Sequence, residues 1–111
     1  MGGGTGSIGG TGLKVIVTPE AEMDIGSAQQ WYDHERKGLG KEFRAEIRHS
    51  IGLIRDNPYA YIETYRQIRR VLLNRFPFAL YYVLFEESVI VLACIHANRS
   101  PEFIKSRLNI N

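Results

Sequence analysis

The side chains of this sequence that could do chemistry are cationic and fall late in the chain. Arg69 and Arg70 are adjacent, Arg75 follows them, and His96 and Arg99 close the last long apolar run. Guanidinium forks grip phosphate and carboxylate bidentately. Imidazoles as a class titrate near neutrality and can give or take a proton. Such residues at the rim of a sheet suit an anion, most simply a phosphate, and make nucleic acid the first partner to consider. Metal-free RNA cleavage needs a base for the 2′-hydroxyl, an acid for the leaving 5′-oxygen and cations around the phosphate. His96 can be base or acid, Arg99 and Arg70 the clamp, and Tyr65, Glu63 or His96 the handler of the second proton. Arg69, Arg70, Arg75 and Arg99 form the wider set for a phosphate or a target surface. Plainer roles stand beside these. His96 can end a strand bonded to a backbone carbonyl, Arg70 and Arg75 can pack or pair, and Arg99 can be a charge near the last helix. Tyr59, Tyr61 and Tyr65 can stack on bases or pack their rings on a core edge with the hydroxyls in water.

Other chemistries find no pattern. His34 and His49 are far apart, and no Cys/His or H-E-x-x-H spacing suggests zinc. Nothing marks a nucleophile elbow or a dinucleotide fingerprint. No metal and no cofactor is therefore expected. Cys94, in Val-Leu-Ala-Cys-Ile, reads as a buried strand residue. As the one cysteine of the chain it excludes an internal disulfide and fits a reducing compartment. No apolar run approaches the about 18 residues that span a bilayer, and no charged-then-apolar leader is present. The expected setting is the cytoplasm, with no membrane partner. Length, at 111 residues, fits one domain, and 44% hydrophobic with 23% charged residues fits a globular one. The net charge of +2 is unevenly spread: residues 13–65 carry seven Lys/Arg against nine Asp/Glu, and residues 66–111 seven against three. The positive potential belongs to the second half.

The elements that must position these residues can be read from periodicity. Residues 1–12 hold seven glycines, cannot build a core, and read as a flexible leader or cloning scar. Residues 13–111 are expected to form the single domain. Leu13–Thr18 reads as a short strand. Thr18-Pro19 supplies an N-cap and a first-turn proline, and Ala21, Ile25, Ala28 and Tyr32 give the helix that follows its buried stripe. Gly38-Leu39-Gly40 breaks to a second helix, to about Asp56, with Phe43, Ile47, Ile51 and Ile54 as its stripe and Glu42 and Glu46 on a solvent-facing flank. A short link makes the pair an antiparallel hairpin. Tyr59–Gln67 is expected to be a loop. Three strands follow, Ile68–Arg75, Phe78–Phe85 and Ser88–His96, the last two a hairpin about Glu86-Glu87. A final helix covers Glu102–Leu108. The order β-α-α-β-β-β-α predicts an α+β fold, a helical hairpin packed on a mainly antiparallel four-stranded sheet.

That order, with four short motifs, resembles the RelE/ParE superfamily of bacterial type II toxin–antitoxin toxins over about Val15 to Leu108. Trp31-Tyr32-Asp33 is similar to the family's "WY-x-E" region, and Gly38-Leu39-Gly40-x-x-Phe43 to its "GLG-x-x-F" junction. Arg69-Arg70 through Arg75-Phe76-Pro77-Phe78 resembles "RR-x-x-x-x-RFPY", and His96-x-x-Arg99-x-Pro101 its "H-x-x-R-x-P" ending. The resemblance implies a toxin neutralised by a cognate antitoxin, with a hetero-oligomer between the two. RelE-like members cut messenger RNA on the ribosome; ParE-like members poison DNA gyrase. The motifs look more like the ParE branch, often called plasmid stabilisation proteins, so gyrase is the expected target. The ribosome with its mRNA is the alternative, through His96, Arg99, Arg70 and Tyr65. A non-toxic antitoxin-binding module is the third reading. Phe78 stands where the family often has Tyr, and Ile104 where a Trp is frequent; neither change argues against the fold.

Overall fold

A computed structural model describes residues 12–110. All of the glycine-rich leader except Gly12 lies outside the described residues. The chain runs β1 (Lys14–Val17), α1 (Pro19–Glu35), α2 (Leu39–Asp56), β2 (Glu63–Tyr65), β3 (Ile68–Leu72), β4 (Phe78–Phe85), β5 (Ser88–His96) and α3 (Pro101–Arg107). The strands form one five-stranded sheet in the order β1-β5-β4-β3-β2. β1 lies parallel to β5, and every other neighbouring pair is antiparallel.

Local sequence explains most of these boundaries. The Thr18 hydroxyl accepts the Ala21 N–H at 3.1 Å and caps α1, with Pro19 in its first turn. Ala21, Ile25, Ala28 and Tyr32 are buried, as their spacing predicts. Gly38 takes φ +89°, a left-handed conformation suited to glycine, and starts α2. Phe43, Ile47, Ser50 and Ile54 then form the buried stripe of α2.

The sheet separates two apolar layers. In front, the helical hairpin packs Ile25, Phe43 and Ile54 against Leu80, Tyr82, Val89 and Val91. Tyr32, Phe43, Phe76 and Phe78 close one end of that layer, with ring centroids between 4.8 and 6.2 Å apart. Behind, Ile104 of the seven-residue α3 packs with Ile68, Ala79, Tyr81, Ala93 and Ile95. Both faces of β4 and β5 are therefore covered, which is why these strands are apolar but for Ser88 and His96 at the ends of β5. A register shift between Tyr81 and Tyr82 sets Tyr81 opposite Ala93 but Tyr82 opposite Val91, a bulge at Leu92.

Two expectations need correction. The sheet has a fifth strand, because part of the expected loop Tyr59–Gln67 pairs with β3. Arg66, at φ +50°, makes the reversal, and the Glu63 carboxylate lies 3.7 Å from its register partner Arg69. The signal is hidden in sequence because a non-glycine residue takes the left-handed turn position. The strand predicted over Ile68–Arg75 stops at Leu72. Glu46 of α2 accepts the N–H groups of Asn74 and Arg75, and Glu42 pairs with Arg75 at 2.7 Å. The charged flank of α2 thus holds this segment as a loop.

Candidate functional site at the end of strand β5

His96 ends β5 opposite Phe78, and their rings meet edge-on at 5.2 Å. The His96 Nδ1 accepts the Asn98 N–H at 3.1 Å. In the neutral ring the proton then sits on Nε2, which leaves a donor there and no free lone pair for a base. The His96 carbonyl accepts the Arg99 N–H at 3.1 Å, and this turn carries the chain to Ser100, whose hydroxyl caps α3 at Phe103 N–H. The Arg99 guanidinium lies 3.9 Å above the Phe103 ring, a close cation–π contact. It has no carboxylate partner among the described residues.

The third wall comes from α1. β1 accompanies β5 only as far as Val91, so the Cys94 N–H faces an open edge. Asp24 fills that edge: its Oδ2 accepts the Cys94 N–H at 3.0 Å and an Arg107 guanidinium N–H at 2.7 Å. A cavity of about 320 Å³ lies between α1, the end of β5 and α3, where Ala28, Phe78 and Phe103 supply apolar surface and His96 and Arg99 polar groups. It can hold a carboxylate or phosphate beside aromatic rings. Cys94 is not a nucleophile in it, since burial, with the Asp24 charge second, pushes its thiol up to about 12.

The other candidate cations are elsewhere. Arg69 donates to the Tyr61 carbonyl at 2.6 Å, lies near Glu63 and stacks 5.2 Å over the Tyr59 ring, so it fastens the segment before β2. Arg75 is fastened to Glu42; that hydrogen bond holds the Glu42 carboxyl below its usual range and raises the guanidinium. Arg70 shares the rear face of the sheet with Tyr81, its register partner, and Tyr65 packs on the same side. Cys94 and Phe78 belong to the front layer, and His96 follows Cys94 by the two-residue period of a strand. The sheet therefore lies between Arg70 with Tyr65 and the His96 ring. The structure brings His96 and Arg99 together and leaves Arg70, Tyr65, Arg69 and Arg75 outside their cavity.

Sequence reading did not single out Asp24, Phe103 or Arg107. Asp24 reads from sequence only as an acid favouring the positive end of α1, and Phe103 only as an apolar residue of the last helix; the role of Asp24 depends on where β1 stops. Among the described residues no group of His, Cys, Asp and Glu is placed to hold a metal ion, and no helix is long and apolar enough to cross a membrane.

A helical hairpin on a sheet whose first strand runs parallel to its last, with a short helix behind, has a counterpart among solved structures. The particular likeness is to a chain in a solved structure of the chromosomal ParDE TA system from P. aeruginosa, with a TM-score of 0.71 and 14% identity over 78% of this chain and 97% of that one. At that identity the likeness is one of fold. No family model and no curated protein matches the sequence.

Proposed function

We propose that the protein is the toxin of a type II toxin–antitoxin pair of the ParE kind. It stops growth by binding DNA gyrase in the cytoplasm, and a cognate antitoxin neutralises it. The observation that carries the contact mode of action is the separation of the candidate groups by the sheet. RNA cleavage needs its base, acid and phosphate clamp within hydrogen-bond reach of one phosphate. Arg70 and Tyr65 lie behind the sheet, whereas the His96 Nδ1 is already engaged by Asn98 in front. A toxin that acts by occupying a surface needs no such convergence, and it needs no cofactor. The fold and the motif resemblance favour gyrase as that surface, and the positive second half of the chain suits an acidic protein face or the bound DNA. The antitoxin would lay a short helix or extended segment over the apolar and cationic surface.

Two measurements test this reading. Purified protein added to a gyrase supercoiling reaction should inhibit it, and inhibition should be relieved by the product of a neighbouring reading frame. Induced expression should arrest growth with DNA-damage signalling and intact messenger. Codon-positioned breaks in messenger that vanish in His96→Ala and Arg99→Ala would replace the gyrase reading with the nuclease one. Absence of growth arrest would leave the non-toxic binding module.

A further inference from the structure

The cavity at the end of β5 has a charge balance that selects its occupant. Its volume of about 320 Å³ is at the lower end of small-molecule sites, and two guanidinium groups, Arg99 and Arg107, line it with one carboxylate, Asp24. Asp24 spends its charge on Arg107 at 2.7 Å. With a neutral imidazole at His96, one positive charge is left over, and it belongs to Arg99. The Arg99 guanidinium carbon lies 3.9 Å from the Phe103 ring centroid. At that distance the face of the cation covers the ring, and its N–H groups, which lie in the guanidinium plane, point away from it. The fork is thereby held ready for a flat acceptor with two oxygens. The His96 Nδ1 is occupied by the Asn98 N–H at 3.1 Å, so the donor the ring has left is Nε2–H.

Apolar surface meets this polar corner. Phe78 and Phe103 are each only half-buried, so both rings keep surface that a flat apolar body can cover, and Ala28 of α1 adds a small wall beside them. Body and charge together define the ligand. A carboxylate carries the single negative charge that matches the surplus. A phosphate monoester carries nearly two at neutral pH, and the second would stand near the Asp24 carboxylate. We propose that this cavity binds a small aromatic monocarboxylate, with its carboxylate on Arg99 and the His96 Nε2–H and its ring against Phe78 and Phe103. The binding does not depend on gyrase as the target, nor on toxicity.

The test is an NMR titration of the isotope-labelled full chain with sodium phenylacetate, 3-phenylpropanoate and indole-3-acetate, each followed to millimolar concentration. The expected result is saturable movement of the amide signals of residues 94–99, Ala28 and Phe103 with at least one of the three acids. The primary amide of that acid should bind about tenfold more weakly. Arg99→Gln, at an exposed position, should erase that difference while the unbound spectrum stays folded. Ser27→Trp adds bulk to the cavity from an exposed position on α1 and should end binding of the acid with all the cations in place. Equal binding of acid and amide, shifts centred away from residues 94–99, or no saturable shift with any of the three acids would each overturn the proposal. Acetate binding as tightly as the aromatic acids would overturn the role of the rings, and phenyl phosphate binding more tightly than phenylacetate would overturn the single-charge assignment.

Discussion

Asp24 does two jobs with one oxygen: it closes the β5 edge at Cys94 and anchors α3 through Arg107. Asp24→Ala leaves a strand N–H unmet and a guanidinium without its partner. The Arg107 side chain is 29% exposed and that of Asp24 16%, so water moderates the loss. The expected cost is about 2–3 kcal/mol, a fall of roughly 10 °C in melting temperature for a domain of this size. Arg107→Met should cost less, since the Cys94 bond survives, and the two changes should be non-additive in a double-mutant cycle. A fall of under about 3 °C for Asp24→Ala would show that the edge does not need its carboxylate. No sequence pattern could announce this. Asp24 matters because β1 ends at Val17, and that end point is a property of the assembled sheet. His96 and Arg99 were readable as a pair because one turn of chain joins them. Arg69 and Arg75 were readable as cations but not as ties, since Tyr61, Glu63 and Glu42 reach them only in the folded molecule.

At the level of elements, the junction of α1 and α2 depends on two glycines for different reasons. Gly38 supplies a positive φ, and Gly40 supplies room. A Cβ at Gly40 would stand 2.5 Å from the Gln29 carbonyl and 2.8 Å from the Asp33 carboxyl, and the Gly40 N–H donates to that carboxyl at 2.8 Å. Gly40→Ala must push backbone from backbone, and we expect it to destabilise by about 1–3 kcal/mol despite alanine's better helix propensity. Gly52, in the same helix, has nothing within 4 Å of its Cβ position. Gly52→Ala should be neutral or stabilise by up to about 1 kcal/mol. Urea denaturation of the two variants checks the contrast, and equal midpoints would refute it. The sequence shows the break at Gly38-Leu39-Gly40 and starts the second helix at about Gly40, but not that Gly40 lies against the Gln29 carbonyl and the Asp33 carboxyl of α1. Likewise β4 and β5 are legible because long apolar β-branched and aromatic runs have few alternatives. β2 is not legible, being three residues long and turned by an arginine.

For the molecule as a whole, the buried ionisable groups are acids kept neutral. Burial raises the Tyr82 phenol to about 12, and the Cys94 thiol reaches about 12 as well, with Tyr32 and Tyr81 raised for the same cause. In the unfolded chain a thiol loses its proton near about 8.5 and a phenol near about 10. From there upward the unfolded state binds fewer protons than the folded one, so stability falls as pH rises. Stability should hold up to about pH 8.5 and decline between there and about pH 12. Denaturation midpoints across that range measure it, and Cys94→Ala should move the onset of the decline upward. A flat profile would contradict the buried, protonated picture. The two-layer plan was legible from hydrophobic pattern. The parting of Arg70 from His96 was not, because which face a side chain takes depends on register. The same sheet joins Lys14 to Ser88 through the parallel pairing of β1 and β5. On a translating ribosome β1 must wait for nearly the whole nascent chain before it finds its neighbour. Synthesis therefore comes close to termination before the cavity at the end of β5 exists, and a prematurely stopped product lacks it.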